Sequence, residues 1–346
     1  MNGRTGMRVL VTGLGTFWGS RLAQQLEADP NVELVVGVDT REPQLPLERT
    51  EFVQADSSYG VLHRIVHATA VDTVIHTHLE VDSTRTSARR LHEVNVIGTT
   101  NLLAAAGAEG SSVRKVVLKT STLIYGAAAA DPYFFREDAH RTKAASTPVE
   151  RSLVEISDLV RDFTVDNPQV VVSELRFANV LGNDVSTVFS RMLRMGAVPE
   201  VLGFDPRLQF VHQDDVTAAL AFAARHHVPG TFNVAGPDVT TWSGVCRAVG
   251  RRRVAMPPVL TGPAAVPLRL ARVVDIPQEV LALLRFGRGV DTTRFRQAGF
   301  EYEYDTPAAV DAFARTTRRE RVVGRTPPYR YSPALENFFR HSRAVR

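Results

Sequence analysis

Short apolar runs alternate with longer stretches of helical spacing through the first half of the chain. Short runs rich in apolar and β-branched residues at 8–11, 32–38, 72–76, 115–118 and 170–175, with a shorter one at 51–53, predict strands buried on both faces. Between them, 18–28 carries Leu22 and Leu26 on one face, and 61–69 carries Leu62, Ile65 and Val66. Those two stretches, 89–106 and 148–163 predict helices. Strands that alternate with helices predict an α/β protein with a doubly wound parallel sheet. Its crossovers are right-handed and its ligands bind beyond the C-terminal strand ends.

After Arg176 the pattern loosens. The run 230–234 returns one strand to the sheet, and 236 to about 300 reads as a mostly helical lobe. The expected division is a nucleotide-binding domain at 7–177 plus about 211–235 and a substrate lobe at 178–210 and 236–310. A basic tail at 311–346 follows, with Arg318, Arg319 and Arg321 close together and Tyr329 and Tyr331 placed to dock back on the body.

Composition narrows the chemistry. Of 41 basic residues three are lysines, Lys115, Lys119 and Lys143, against 37 acidic residues and a net charge of +4. Cys246 is the single cysteine, which excludes an intrachain disulfide and a multi-cysteine metal site. No signal-peptide core precedes the first strand, and the apolar-rich stretch 264–286 is broken by Arg269, Arg272, Asp275, Pro277 and Glu279. The expectation is a cytoplasmic protein. The basic tail and Arg251–Arg253 could meet nucleic acid or anionic lipid, but with a modest net charge and no interleaved aromatics they read as solvated surface.

The first chemistry lies in Gly13-Leu-Gly15-Thr16-Phe17-Trp18-Gly19, between the first strand and the first helix. Gly13 permits a tight turn, Gly19 permits close helix–strand packing, and the helix start offers free N–H groups to a diphosphate. This is a Rossmann-type dinucleotide loop in its proper context. Asp39, about 20 residues on at the end of the second strand, suits ribose hydroxyls and favours NAD; Arg41 beside it keeps NADP open. Asp56 either meets the adenine or starts a turn. His76 and His78 lack partners at metal-ligand spacing and read as core or cofactor-lining residues, with no metal expected. Asp214 and Asp215 read as acids at a helix start.

Several further segments, in order over residues 7–240, resemble the extended short-chain dehydrogenase/reductase family of sugar-nucleotide epimerases and dehydratases. Asp72-Thr-Val-Ile-His76 with Thr77-His78 is similar to its fourth-strand motif, and Asn95-Val-Ile-Gly-Thr-Thr-Asn-Leu-Leu103 to its following helix. Lys119-Thr-Ser121-Thr-Leu-Ile-Tyr125-Gly126, Leu175-Arg-Phe-Ala-Asn179-Val-Leu-Gly182 and Phe210-Val-His-Gln-Asp-Asp-Val216 match three more of its segments. So does Thr231-Phe-Asn-Val-Ala-Gly236. Within the family the chain is similar to actinobacterial UDP-glucose 4-epimerase-like proteins.

The resemblance implies an NAD cofactor, a small-molecule substrate, and a homodimer formed through the helices at 89–106 and 148–163. It assigns Phe17 and Trp18 to the diphosphate and Thr77, His78 and Leu79 to the cofactor. It puts Asn95 behind the site as an organising amide, makes Ser121 the hydroxyl on the reacting oxygen, and turns Asn179 and Arg207 to the substrate.

Two departures change the picture. Thr16 stands where the family has its middle glycine, with Gly15 one place earlier. The family's catalytic Tyr-x-x-x-Lys falls on Val149 and Leu153, and no tyrosine lies between Tyr133 and Tyr302. The resemblance therefore implies an epimerase/dehydratase-like protein of non-standard mechanism, with Tyr125, Tyr133 and Lys119 as weak substitutes for the missing acid/base. The alternatives are a catalytically silent dinucleotide-binding regulatory or scaffold protein, and a hydroxysteroid-dehydrogenase-like oxidoreductase.

Overall fold

The computed structural model describes residues 6–261 and 276–323. The chain runs β1 (Met7–Thr12), α1 (Phe17–Glu27), β2 (Val32–Asp39), β3 (Thr50–Gln54), α2 (Tyr59–Thr69) and β4 (Thr73–His76). It continues through α3 (Ala88–His92), α4 (Gly98–Ala106), β5 (Lys115–Ser121), α5 (Pro148–Asp166) and β6 (Val171–Phe177). With β11 (Gly230–Val234) these strands form one seven-stranded parallel sheet in the order β11-β6-β5-β4-β1-β2-β3. The order reverses between β1 and β4, which opens the crevice where such sheets bind ligands.

Each face of the sheet is covered, which is why its central strands are mostly apolar. Leu10, Val36, Val74, Val116 and Leu118 pack with α2, α4 and α5. Val9, Val11, Ile75, Val117 and Leu175 pack with α1 and with α7 (Gln213–Arg225).

The predicted helix at 89–106 is interrupted. A π-helical turn over Glu93–Ile97 joins α3 to α4. A single π turn leaves apolar periodicity nearly intact on either side, so it is invisible in the pattern. It brings Asn95, fully buried, to the loop after β4.

The smaller lobe is less helical than expected. It contains β7 (Asn179–Leu181), α6 (Val188–Arg194), β8 (Ala197–Val201), β9 (Arg207–Leu208) and β10 (Phe210–His212). After β11 come β12 (Thr240–Thr241), α8 (Trp242–Val249), β13 (Arg252–Met256), α9 (Gln278–Phe286), α10 (Thr293–Gln297) and α11 (Thr306–Val323). Three two-stranded pieces, β7–β10, β9–β12 and β8–β13, tie it together. β13 was hidden because four of its five residues are exposed, so no alternation marks it.

Of Arg251–Arg253, only Arg251 departs from the expected solvated surface; Arg252 and Arg253 are exposed. Arg251 is buried and its Nε donates to the Leu193 carbonyl, while Arg253 pairs with Glu200. The chain beyond 310 also departs from the expected tail. Residues 311–323 belong to α11, which buries Phe313, Ala314 and Thr317 and packs on α8. Tyr329, Tyr331 and most of the stretch 264–286 lie outside the described residues.

Candidate functional site

The loop after β1 is built from close approaches. Gly13 has φ +81°, and a Cβ there would lie 2.7 Å from the His78 amide nitrogen. At Gly19 a Cβ would lie 2.3 Å from the Gly13 carbonyl oxygen. These two positions hold β1, α1 and the end of β4 against one another, and only glycine leaves them room.

Thr16, at the family's middle-glycine position, has a capping task. It turns back as the N-cap of α1: its Oγ1 accepts from Gly19 N at 3.1 Å and donates to Gly13 O at 2.7 Å. That consumes one orphan helix amide. The amides of Phe17 and Trp18 are left without an acceptor among the described residues.

The displaced Gly15 has its own task. Its N–H donates to Asp39 Oδ2 at 3.0 Å, and a Cβ would lie 2.6 Å from the Arg41 carbonyl oxygen. Asp39 Oδ1 accepts from Arg41 N at 3.0 Å. The buried carboxylate thus fixes the loop to the end of β2. It also lines a cleft of about 230 Å³ with Asp56, His78, Arg90 and Asn101. Asp56 starts a turn, accepting from Ser58 N at 3.1 Å, and faces that cleft as well. The Arg41 side chain is exposed.

His76 and Thr77 act from behind. His76 Nδ1 is 2.6 Å from Thr12 Oγ1 and its Nε2 is 3.3 Å from Thr99 Oγ1. Burial, then the neighbouring His78 and Lys119, push its pKa down to about 3. Thr77 is fully buried and donates through Oγ1 to Thr12 O at 2.9 Å. Burial also lowers the pKa of His78. Leu79 is half-buried and packs against the core. Asn95 clasps the Glu80 backbone, with Oδ1 accepting from Glu80 N at 2.8 Å and Nδ2 donating to Glu80 O at 2.7 Å.

At the end of β5, Ser121 caps a short turn: its Oγ accepts from Leu123 N at 3.2 Å and donates to Phe177 O at 3.4 Å. On α5, Val149 and Leu153 are 0% and 1% exposed and belong to the core. Tyr125 is no free base. Its hydroxyl donates to Asn233 Oδ1 at 2.8 Å and accepts from Arg176 at 3.0 Å, its ring stacks on Phe135, and burial raises its pKa.

Tyr133 and Arg207 meet elsewhere, in a cavity of about 520 Å³ between the loop at 126–135 and the lobe. The Tyr133 hydroxyl accepts from Arg207, whose guanidinium lies 4.9 Å from the ring centroid. Phe204, Arg285 and Arg288 complete this wall. Arg288 is buried and pushed down to about 10 by that burial, so it stays charged at neutral pH. One of its terminal nitrogens donates to Gly126 O at 2.9 Å; the other has no partner among the described residues. Asn179 supports the same wall indirectly, donating to Gln209 O at 3.2 Å.

Arg285 and Arg288 went unmarked in the sequence. Their one signal is the pair of arginines three apart on either side of Gly287. Among the described residues no cluster of three His, Cys, Asp or Glu side chains could hold a metal, and no helix is long and apolar enough to cross a membrane.

The dinucleotide half of the site passes a physical test of fit. Two open amides at a helix start, glycines where a Cβ would collide, and a buried carboxylate beside a cleft are the donor set such a cofactor needs.

Comparison with known proteins agrees with this geometry. An uncharacterised Mycobacterium tuberculosis protein is 33% identical over 313 residues, 89% of this chain and 83% of its own. The solved UDP-glucose 4-epimerase of Thermotoga maritima with UDP-glucose superposes with a TM-score of 0.68 at 20% identity, over 90% of this chain and 99% of that one. MoeE5 in complex with UDP-glucose and NAD gives 0.67 at 22% identity with the same coverage. The UDP-glucuronic acid 4-epimerase of Bacillus cereus with NAD gives 0.68 at 15%, over 93% and 99%. Residues 9–235 match the NAD dependent epimerase/dehydratase family, and the chain belongs to that family.

Proposed function

We propose that this chain binds NAD along the β1–α1 loop and a nucleoside-diphosphate sugar in the arginine-walled cavity, and that it lacks the family's ordinary proton relay. The observation that carries the second ligand is Arg288. A buried guanidinium with an unpaired N–H, beside Arg207 and Arg285, suits a doubly charged diphosphate. It suits an apolar alcohol badly, since such a ligand would bury these charges without partners. That argues against the hydroxysteroid reading.

Oxidising a carbinol removes a hydride from carbon and a proton from oxygen. Bound NAD would supply the hydride acceptor. Ser121 is the hydroxyl that would hold the substrate oxygen. The proton needs a group that titrates near neutral pH, and Val149 and Leu153 offer none. Tyr125 is held in its own hydrogen bonds. These residues favour a protein that binds both ligands without turning over at family rates.

Calorimetry with NAD and NADP, followed by a panel of UDP-sugars, tests this reading. NAD is expected to bind more tightly than NADP, because Asp39 would repel a 2′-phosphate. UDP-sugars are expected to bind without epimerisation. Failure of both dinucleotides to bind below about 1 mM would sink the reading of the loop. Epimerisation at ordinary family rates would sink the claim of a lost relay.

A further inference from the structure

Lys119 lies two residues before the end of β5, in the middle of the sheet. Strand alternation puts its side chain with Val117 on the sheet face that α1 covers. The residue is 7% exposed. Its ammonium makes no hydrogen bond and no ion pair among the described residues and keeps only slight contact with solvent. Its single close partner is the ring of Trp18, 5.5 Å from Nζ to the centroid. Glu80 acts on it from a greater distance, and His76, the other titratable neighbour, is neutral above about pH 3.

Such an arrangement is costly for the empty protein. A buried cation with neither a hydrogen-bond acceptor nor a counter-ion is kept when something else supplies them. The other two lysines need no ligand. Lys115 donates to the carbonyls of Ala224 and His226 at the end of α7, and Lys143 is exposed in a loop.

The missing acceptor can be named from what surrounds Trp18. This residue is second in α1, and its amide and that of Phe17 have no acceptor. The ammonium faces the side chain of the second residue of α1, on the sheet face that this helix covers, so the unfilled amides and the cation belong to one end of one helix. Thr16 has taken the Gly19 amide from the set, so the helix end alone is a weaker anion site than a loop with a glycine there.

The geometry points to Lys119 as the cation that clamps the diphosphate of the dinucleotide against the amides of Phe17 and Trp18. This rests on the reading of the loop as a dinucleotide site. The diphosphate supplies the acceptor and counter-charge that the ammonium lacks, and the lysine replaces the donor that Thr16 withdraws. Lys119 is a binding residue here, and its charge is the property used. Arginine at 119 keeps that property and methionine removes it.

Calorimetry on the full chain with NAD, ADP-ribose and adenosine, for wild type, K119M and K119R, tests the assignment. K119M is expected to weaken NAD and ADP-ribose by the same factor, about 10- to 100-fold, the size of a charge-assisted bond to phosphate. Adenosine, which carries no phosphate, is expected to bind both proteins alike, and K119R to keep most of the affinity. An unchanged ADP-ribose affinity in K119M, with or without a loss for NAD, overturns the clamp and leaves the loop reading standing. A wild type that binds neither dinucleotide nor ADP-ribose overturns both.

A second measurement needs no variant. With three lysines in the chain, amine labelling followed by peptide mass spectrometry reads each separately. ADP-ribose is expected to slow labelling at Lys119 and leave Lys143 unaffected; equal labelling at Lys119 with and without it also overturns the proposal.

Discussion

His76 shows how one buried side chain ties the site to the stability of the sheet. It bridges Thr12 at the end of β1 and Thr99 on α4, and burial disfavours the charged form of its ring. Its pKa falls from 6.5 to about 3 on folding, mainly through burial. As the pH drops below 6.5 the unfolded chain takes up a proton that the folded one refuses, so stability is lost through the window from 6.5 to about 3. The expected slope from this residue is about 1.4 kcal/mol per pH unit once the pH is well below 6.5. Urea titrations at several pH values between 6.5 and 4.5 measure it. The His76→Gln variant, which has no proton to take up, is expected to lose that part of the slope; parallel profiles would show that His76 is not the group responsible. Asp39 illustrates what a sequence can and cannot say at this scale. Its place after the second strand marked it as a ribose ligand. Its bonds to Gly15 and Arg41 are contacts between segments that spacing alone does not reveal.

At the scale of elements, α5 is the clearest departure from the family pattern. Its start at 148 was legible from the apolar spacing, and the structure adds the capping box that fixes it, Thr147 with Glu150, both reciprocal bonds formed and proline in the first turn. Its interior was legible as well, because an apolar residue at each catalytic position announces core. The structure adds that Val149 and Leu153 are sealed among Leu123, Ile156 and their neighbours. Putting the family's pair back is therefore expected to fail. The double variant Val149→Tyr, Leu153→Lys forces a ring and an ammonium into filled space, at an expected cost of about 1–3 kcal/mol for each overpacked position. Thermal unfolding reads the cost, and a UDP-glucose epimerase assay is expected to stay at background. A variant that keeps the wild-type midpoint and gains epimerase activity would mean that those two side chains were the whole deficit. The π turn after α3 went the other way. Nothing in the pattern at 89–106 betrays it, since an extra residue in one turn changes hydrogen bonding more than polarity.

The whole molecule brings together residues that no local pattern connects. Arg207 comes from β9 and Arg285 and Arg288 from the end of α9 and the turn after it, while the sheet domain supplies Tyr133 and the Gly126 carbonyl. Sequence motifs marked Arg207 and missed the other two, because the cavity forms only when β9, α9 and the loop after β5 are assembled. The same assembly permits a test that separates holding a ligand from holding the fold. Arg288 is buried with half of its terminal donors unused, so its charge costs the empty protein stability. The Arg288→Met variant keeps the apolar stem and removes that charge, at the loss of one bond to Gly126. Its unfolding midpoint is expected to match or exceed that of the wild type. Its affinity for UDP is expected to fall by about tenfold or more, the worth of one charge-assisted contact. A large drop in the midpoint with UDP affinity intact would make Arg288 a structural brace between lobe and sheet. The opposite result is what a cavity built for a diphosphate requires: strain carried by the empty protein and released by its ligand.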